Sequence, residues 1–252
     1  MPAIQTFTCF GLVIHGFSLE ELVHRLEERA LKSQPSLVAT TNPEILLAAK
    51  RDPAYWNSLR QADFRSVDGF GLQIAGWMKG ARPKRVTGVV LSEALLQLAV
   101  QHNWSIGLLG GDPGNADKSA WSIRKSYPTL RVFAEHGGKI ARDGSMEEAG
   151  NEALFRLTQQ APDILFVAFG HPRQEQWMVR HLAEIPSVKI AIGVGGTFEY
   201  WAGAIKRAPR IFQLFGIEWL WRLIQEPKRF GRIWNAVIVF PFEVLKELIV
   251  KS

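Results

Sequence analysis

Asp68 stands at the end of a short, largely apolar stretch, Phe64-Arg65-Ser66-Val67, and is followed by Gly69-Phe70-Gly71. A carboxylate held at such a tip can act as a general base, although an Asp before Gly can equally be a plain turn residue. Thr40-Thr41-Asn42-Pro43-Glu44 sets two hydroxyls and an amide ahead of a proline suited to the first turn of a helix, so Asn42 is either a ligand contact or a helix cap. In Gly110-Gly111-Asp112-Pro113-Gly114-Asn115 the glycines let the backbone approach a ligand, and the N–H groups that open the next helix form an anion site. Gly193-Val194-Gly195-Gly196-Thr197-Phe198 begins like the dinucleotide fingerprint, but Phe198 occupies the place of its third glycine. The most heavily loaded stretch is Ala168-Phe169-Gly170-His171-Pro172-Arg173-Gln174-Glu175-Gln176-Trp177. There the Arg173 fork suits a phosphate, Gln174 can read a base or sugar edge, and Glu175 can accept from hydroxyls. The plainer alternative is a solvated helix start with His171 on the surface.

Other chemistries are poorly served. The six His are scattered singly, Cys9 is the single cysteine and cannot form a disulfide within the chain, and no Asp-X-Asp occurs to carry a divalent cation to a diphosphate. No metal and no resident cofactor are therefore expected. No Ser lies in a Gly-X-Ser-X-Gly elbow, which argues against an α/β-hydrolase.

Short apolar runs alternating with helix-period segments must position these residues, which is the signature of a parallel sheet covered by helices. The expected fold is α/β, a Rossmann-like, mostly parallel sheet with helices on both faces and a helical, basic C-terminal appendage. Strands are expected over 36–41, 64–67, 105–109, 131–134, 164–169 and 189–194. In such sheets ligands bind outside the carboxyl ends of the strands, which is where the loaded loops fall. Ser18 with Glu21 three residues on reads as a capped helix start, and Ser92 before Glu93 reads similarly. In the tail, apolar residues recur at helical spacing over 211–223 before Gln225-Glu226-Pro227 interrupts them, giving two or three helices in series.

A chain of 252 residues with 47% hydrophobic content can bury a sizeable core. A single cysteine and the lack of a basic-then-apolar leader in the first twenty residues point to a reducing, cytoplasmic setting. Charge is unevenly spread. Residues 203–252 hold nine Lys/Arg against four Asp/Glu, whereas residues 1–202 hold twenty-one against twenty. The chain therefore divides into an α/β domain over 1–202 and an appendage over 203–252. That appendage is also rich in Trp and Phe, a combination that suits an anionic lipid surface or nucleic acid. Its longest apolar run, Ala236 to Phe242, is far short of the roughly 20 residues that cross a bilayer, so it can lie on a membrane but not span one.

Read together, these motifs resemble those of the WecG/TagA/CpsF glycosyltransferases, glycosyltransferase family 26. The resemblance runs from Thr40-Thr41-Asn42-Pro43-Glu44 through Ser66-Val67-Asp68-Gly69-Phe70-Gly71, Arg85-Val86-Thr87-Gly88, Leu108-Leu109-Gly110-Gly111, Gly170-His171-Pro172-Arg173-Gln174-Glu175 and Gly195-Gly196-Thr197-Phe198. It ends in Lys206-Arg207-Ala208-Pro209 and Glu218 to Arg229. It implies an inverting, metal-independent transferase moving a sugar from a UDP-sugar to a polyprenyl-diphosphate-linked saccharide, peripheral on the inner face of the bacterial cell membrane. The transferred sugar would be N-acetylmannosamine, its uronic acid or glucose. The partners so implied are donor, lipid-linked acceptor and anionic membrane, not nucleic acid, with self-association left open.

By position, Asp68 matches the family's general base, while Thr40, Asn42, Arg85 and Gln174 match residues around the substrate. Arg222, Arg229 and Arg232 match basic residues thought to complete the site when the protein meets the membrane. The remaining contacts expected at the strand ends are Thr41, Gly110, Gly111, Arg173, Glu175, Gly195, Gly196 and Thr197. The chain departs from the family pattern at Val90, where an Asp is usual. Two rival classes stay in view. One is a nicotinamide-dependent oxidoreductase, weakened by the failed fingerprint; the other is a non-catalytic membrane-surface module, which leaves Asp68 and Arg173-Gln174-Glu175 without a purpose.

Overall fold

A computed structural model describes residues 6–205, 208–209, 212, 218–225, 227 and 230–250; at 218, 219, 222, 232 and 250 only the backbone is described. Eight strands form one sheet: β1 (Thr6–Cys9), β2 (Leu12–His15), β3 (Ser36–Thr41), β4 (Phe64–Val67), β5 (Ile106–Gly110), β6 (Val132–Glu135), β7 (Ile164–Ala168) and β8 (Ile190–Gly193), in the order β1-β2-β4-β3-β8-β7-β5-β6. The six expected strands are present, each within a residue or two of its expected bounds, and they pair in parallel.

The β1–β2 hairpin had no counterpart in the sequence reading. It pairs antiparallel through a two-residue turn in which Phe10 and Gly11 both take positive φ, and it adds an antiparallel edge next to β4. The signal lay in the alternation of Thr6-Phe7-Thr8-Cys9, whose Phe7 and Cys9 are buried and whose Thr side chains are exposed. Four residues a side were too few to separate it from loop.

Helices cover both faces. On one lie α2 (Pro43–Arg51), α3 (Pro53–Gln61), α4 (Phe70–Met78), α7 (Glu148–Gln160) and α8 (Arg173–His181); on the other lie α1 (Leu19–Leu31), α5 (Gly88–His102), α6 (Asn115–Ser126) and α9 (Thr197–Trp201). Central strands are therefore buried on both sides, and alternate residues serve alternate cores. Leu165 and Val167 join the first, Ile164 and Phe166 the second.

The chain ends in α10 (Glu218–Gln225), α11 (Phe230–Trp234), a π-helical turn (Asn235–Val239) and α12 (Phe240–Val250). α12 does not stand apart, because Phe240 and Val244 are fully buried in the first core. Its Glu247 accepts from the Phe10 backbone N–H at 3.2 Å and pairs with Lys79 at 2.9 Å, and its Glu243 pairs with Lys50.

Side-chain caps at Ser18, Asn42, Asp52 and Thr87 start α1, α2, α3 and α5. The Ser18 and Glu21 capping box forms in full. The expected start at Ser92 does not, since Ser92 is buried inside α5. That helix begins a turn earlier, where the Thr87 hydroxyl accepts from Val90 N–H at 3.3 Å. An apolar first turn, Gly88 to Leu91, had hidden the true cap.

Candidate active site

The carboxyl ends of β3, β4, β5, β6, β7 and β8 open into one cleft of about 990 Å³. One wall carries Thr40, Asn42 and Asp68. The Thr40 hydroxyl donates to the Gly193 carbonyl at 2.9 Å, tying β3 to the end of β8. Asn42 caps α2, with Oδ1 accepting from Ile45 N–H at 3.0 Å, and lines the cleft as well, so both readings of that residue meet in one place.

Asp68 follows β4, and its N–H donates to Thr41 O at 2.7 Å. The next residue, Gly69, takes φ +109, a conformation that glycine adopts freely and that turns the chain sharply into α4. One Asp68 oxygen, Oδ2, accepts from Gly88 N–H at 3.0 Å. Gly88 opens the fifteen-residue α5, so the carboxylate faces the positive end of that helix. A Cβ on Gly88 would lie 3.4 Å from Thr40 Oγ1 and 3.7 Å from Asp68 Oδ2, so the absent side chain leaves the approach to Asp68 clear.

The facing wall comes from Gly111, Arg173, Gln174 and Gly195 to Thr197. Arg173 is exposed at the cleft, as a phosphate contact would require. Gln174 is only 3% exposed, and its amide is engaged at both ends. Oε1 accepts from Gly195 N–H at 3.1 Å, and Nε2 donates to Glu175 Oε1 at 2.7 Å.

Glu175 is fully buried, accepts from the Tyr55 hydroxyl at 3.1 Å, and does not line the cleft. Burial pushes its carboxyl above the ordinary range, against the pull of Gln174 and other neighbours. The expectation that Glu175 accepts from substrate hydroxyls is thus corrected: α8 turns the residue after Gln174 into the core. Thr41, Arg85 and Gly110 also stay off the cleft lining; Thr41 spends its hydroxyl on Ser66 O inside the sheet. Arg229 lies outside the described residues, as do Lys206 and Arg207, and Arg222 and Arg232 are described only as backbone positions in α10 and α11.

Several lining residues were not singled out from sequence. His171 lines the cleft with Nε2 3.6 Å from Glu44 Oε2 and its ring stacked 6.4 Å from that of Tyr55. Its Nδ1 is buried and has no hydrogen-bond partner among the described residues. His136 and Lys139 enter from the loop after β6, where Gly137 and Gly138 both take positive φ. A Gly-Gly pair after a strand was the available signal. Among the described residues no cluster of three His, Cys, Asp or Glu side chains could hold a metal ion.

The model of the family described as glycosyl transferase WecG/TagA/CpsF matches residues 7–252. The chain belongs to that family. It is a glycosyltransferase. Among curated relatives, the N-acetylglucosaminyldiphosphoundecaprenol N-acetyl-beta-D-mannosaminyltransferases of Staphylococcus aureus strains MRSA252 and MW2 are each 32% identical over 210 residues, covering 83% of this chain and 79% of theirs. Membership in the WecG/TagA/CpsF family displaces both the oxidoreductase and the non-catalytic module. A glycosyltransferase must bring an acceptor hydroxyl and a glycosyl donor together, and a cleft shared by six strand ends has room for both.

Proposed function

We propose that this WecG/TagA/CpsF protein transfers N-acetylmannosamine from its UDP-sugar to a polyprenyl-diphosphate-linked N-acetylglucosamine, with inversion and without a metal. The single observation that carries the chemistry is Asp68: a carboxylate at the cleft wall, with one oxygen held by the α5 N-terminus at Gly88. The choice of sugar and acceptor rests on the names of the Staphylococcus aureus relatives. A β-mannosaminyl product formed from an α-linked nucleotide sugar is inversion, and inversion needs one base rather than a covalent intermediate. The uronic acid and glucose are the other donors to be tried.

In the proposed step Asp68 takes the proton of the acceptor hydroxyl as its oxygen bonds to the anomeric carbon. The bond from that carbon to the diphosphate oxygen breaks, and UDP leaves with the electron pair. Negative charge then grows on the diphosphate. Arg173, Lys139 and His136 stand at the cleft to meet it, and so does the Gly111 turn that leads into α6; a five-residue α9 offers little dipole. Arg222, Arg229 and Arg232 would add guanidinium forks when the tail docks on lipid.

No described helix is long and apolar enough to cross a membrane. Peripheral attachment at the inner leaflet is supported instead by Ile238, Phe242, Leu245 and Ile249, which recur at helical spacing and are all exposed, on the side opposite the buried Phe240 and Val244. The test is to incubate purified protein with UDP-N-acetylmannosamine and a short-chain diphospholipid bearing N-acetylglucosamine. Mass spectrometry should show the gain of one N-acetylhexosamine, and NMR should show a β linkage. Absence of product with this donor, and with the uronic acid and glucose donors, would remove the reading.

A further inference from the structure

Gln174, Glu175 and Tyr55 make a chain of hydrogen bonds that crosses the interior from α3 to the turn after β8. The Tyr55 hydroxyl donates to Glu175 Oε2, Glu175 Oε1 accepts from Gln174 Nε2, and Gln174 Oε1 accepts from Gly195 N–H, at 3.1, 2.7 and 3.1 Å. All three side chains are at least nine-tenths buried. The Gln174 amide also lies along the backbone of β8, since a Cβ on Gly193 would sit 2.6 Å from Nε2. The other side of that strand end is held by Thr40, which donates to Gly193 O and neighbours Asp68 across Gly88.

A carboxylate buried this deeply costs more than an apolar residue of the same size unless its bonds do something an apolar residue cannot. Donors from Tyr55 and Gln174 meet its two oxygens and it does not line the cleft, so its place is to accept hydrogen bonds rather than to exchange protons with substrate. What the chain accomplishes is geometric. It fixes which end of the Gln174 amide faces Gly195, because Nε2 is committed to Glu175 and only Oε1 remains for the turn.

We propose that Tyr55, Glu175 and Gln174 form a buried brace that sets the Gly195–Gly196 turn against the Asp68 wall, with Glu175 a positioning residue that never touches substrate. This rests on the transferase reading only for its kinetic consequence; the brace itself is a statement about the turn.

Two readouts separate the two. The first is amide hydrogen exchange of the folded full chain, which uses no substrate. Gln174→Ala and Glu175→Ala should each speed exchange at Gly195 by about tenfold, the worth of one hydrogen bond. Unchanged protection at Gly195 in a folded variant overturns the brace. The second is transfer kinetics measured well below the melting temperature. Each single variant should lower kcat about tenfold with the acceptor KM unchanged, and the double variant should be no worse than the poorer single, since both break one chain. Multiplying losses overturn it.

Glu175→Gln keeps an acceptor for Gln174 and lets Tyr55 accept in turn, so both exchange and turnover should stay near wild type; a loss as deep as that of Glu175→Ala overturns the brace. Should Glu175→Ala fail to fold, Tyr55→Phe, which removes one donor from the chain and leaves the ring, should give an intermediate rise in exchange at Gly195, and none would count against the proposal. A wild-type chain inactive on every donor tried would sink the transferase reading, while Gly195 exchange would still report on the brace.

Discussion

Asp68 and Glu175 both stand in polar stretches of the sequence, one in the loop after β4 and the other in the first turn of α8, and their surroundings differ sharply. Asp68 lies at the cleft with Oδ2 on the Gly88 N–H, whereas Glu175 is sealed in the interior. Asp68→Asn keeps the shape and removes the proton acceptor, so transfer should fall roughly 10²-fold or more while UDP binding by calorimetry stays close to wild type. Unchanged turnover would take Asp68 out of the mechanism. His15 supplies a separate test. It is largely buried, accepts from Arg65 N–H at 3.0 Å and stacks on Phe17. Burial first, and the Arg65 charge second, push its pKa down to about 4 from the ordinary 6.5. Between those values the unfolded chain binds a proton that the folded chain refuses, so stability contributed here is complete above about pH 6.5 and drains away as pH falls towards 4. The loss should be on the order of 2 kcal/mol in chemical denaturation at pH 4.5 against pH 7, and His15→Gln should flatten it.

Elements turn such residues into a site through their ends. Asn42 shows how a cap and a candidate ligand contact coincide: the same side chain that accepts from Ile45 N–H faces the cleft. Asn42→Ala should cost about 1 kcal/mol of stability through the lost cap, read as a lower denaturation midpoint. Asn42→Asp should restore the cap, because a carboxylate accepts as well at a helix N-terminus. If Asn42 also holds substrate, Asn42→Asp will be stable yet slow in transfer; normal turnover in that variant would leave the residue as a cap alone. The Gly-rich ends of β5 and β8 and the cap residues at Ser18 and Asn42 were legible because each depends on a few consecutive residues. Ser92 was not, because burial against the second core overrode a cap-like local pattern.

At the scale of the whole molecule, the π-helical turn and α12 together present two faces in different surroundings. Phe240 and Val244 close the first core, while Ile238, Phe242, Leu245 and Ile249 face outward. Cutting the chain near residue 203 would therefore uncover core as well as remove the proposed membrane-facing residues, and surface substitutions discriminate better. Changing the four outward residues to Ser should abolish sedimentation with anionic vesicles and leave the melting temperature within a few degrees of wild type. Undiminished vesicle binding would place the membrane contact elsewhere. Phe240→Ala, by contrast, should destabilise by about 3–5 kcal/mol, the range for emptying a buried aromatic site.

The sequence by itself determined the sheet class, the six parallel strands, two of the helix caps and the gathering of polar and Gly-rich loops at strand ends, because period, caps and turns are written in neighbouring residues. Tertiary structure alone decided which loaded side chains face the cleft. Tyr55 meets Glu175 across 120 positions and Gln174 meets Gly195 across 21, and no local pattern records either distance. Successive residues on a helix point about 100° apart, so Arg173 reaches the cleft, Gln174 the turn and Glu175 the core from one short polar run. Which of them is wet depends on what the rest of the chain folds against it.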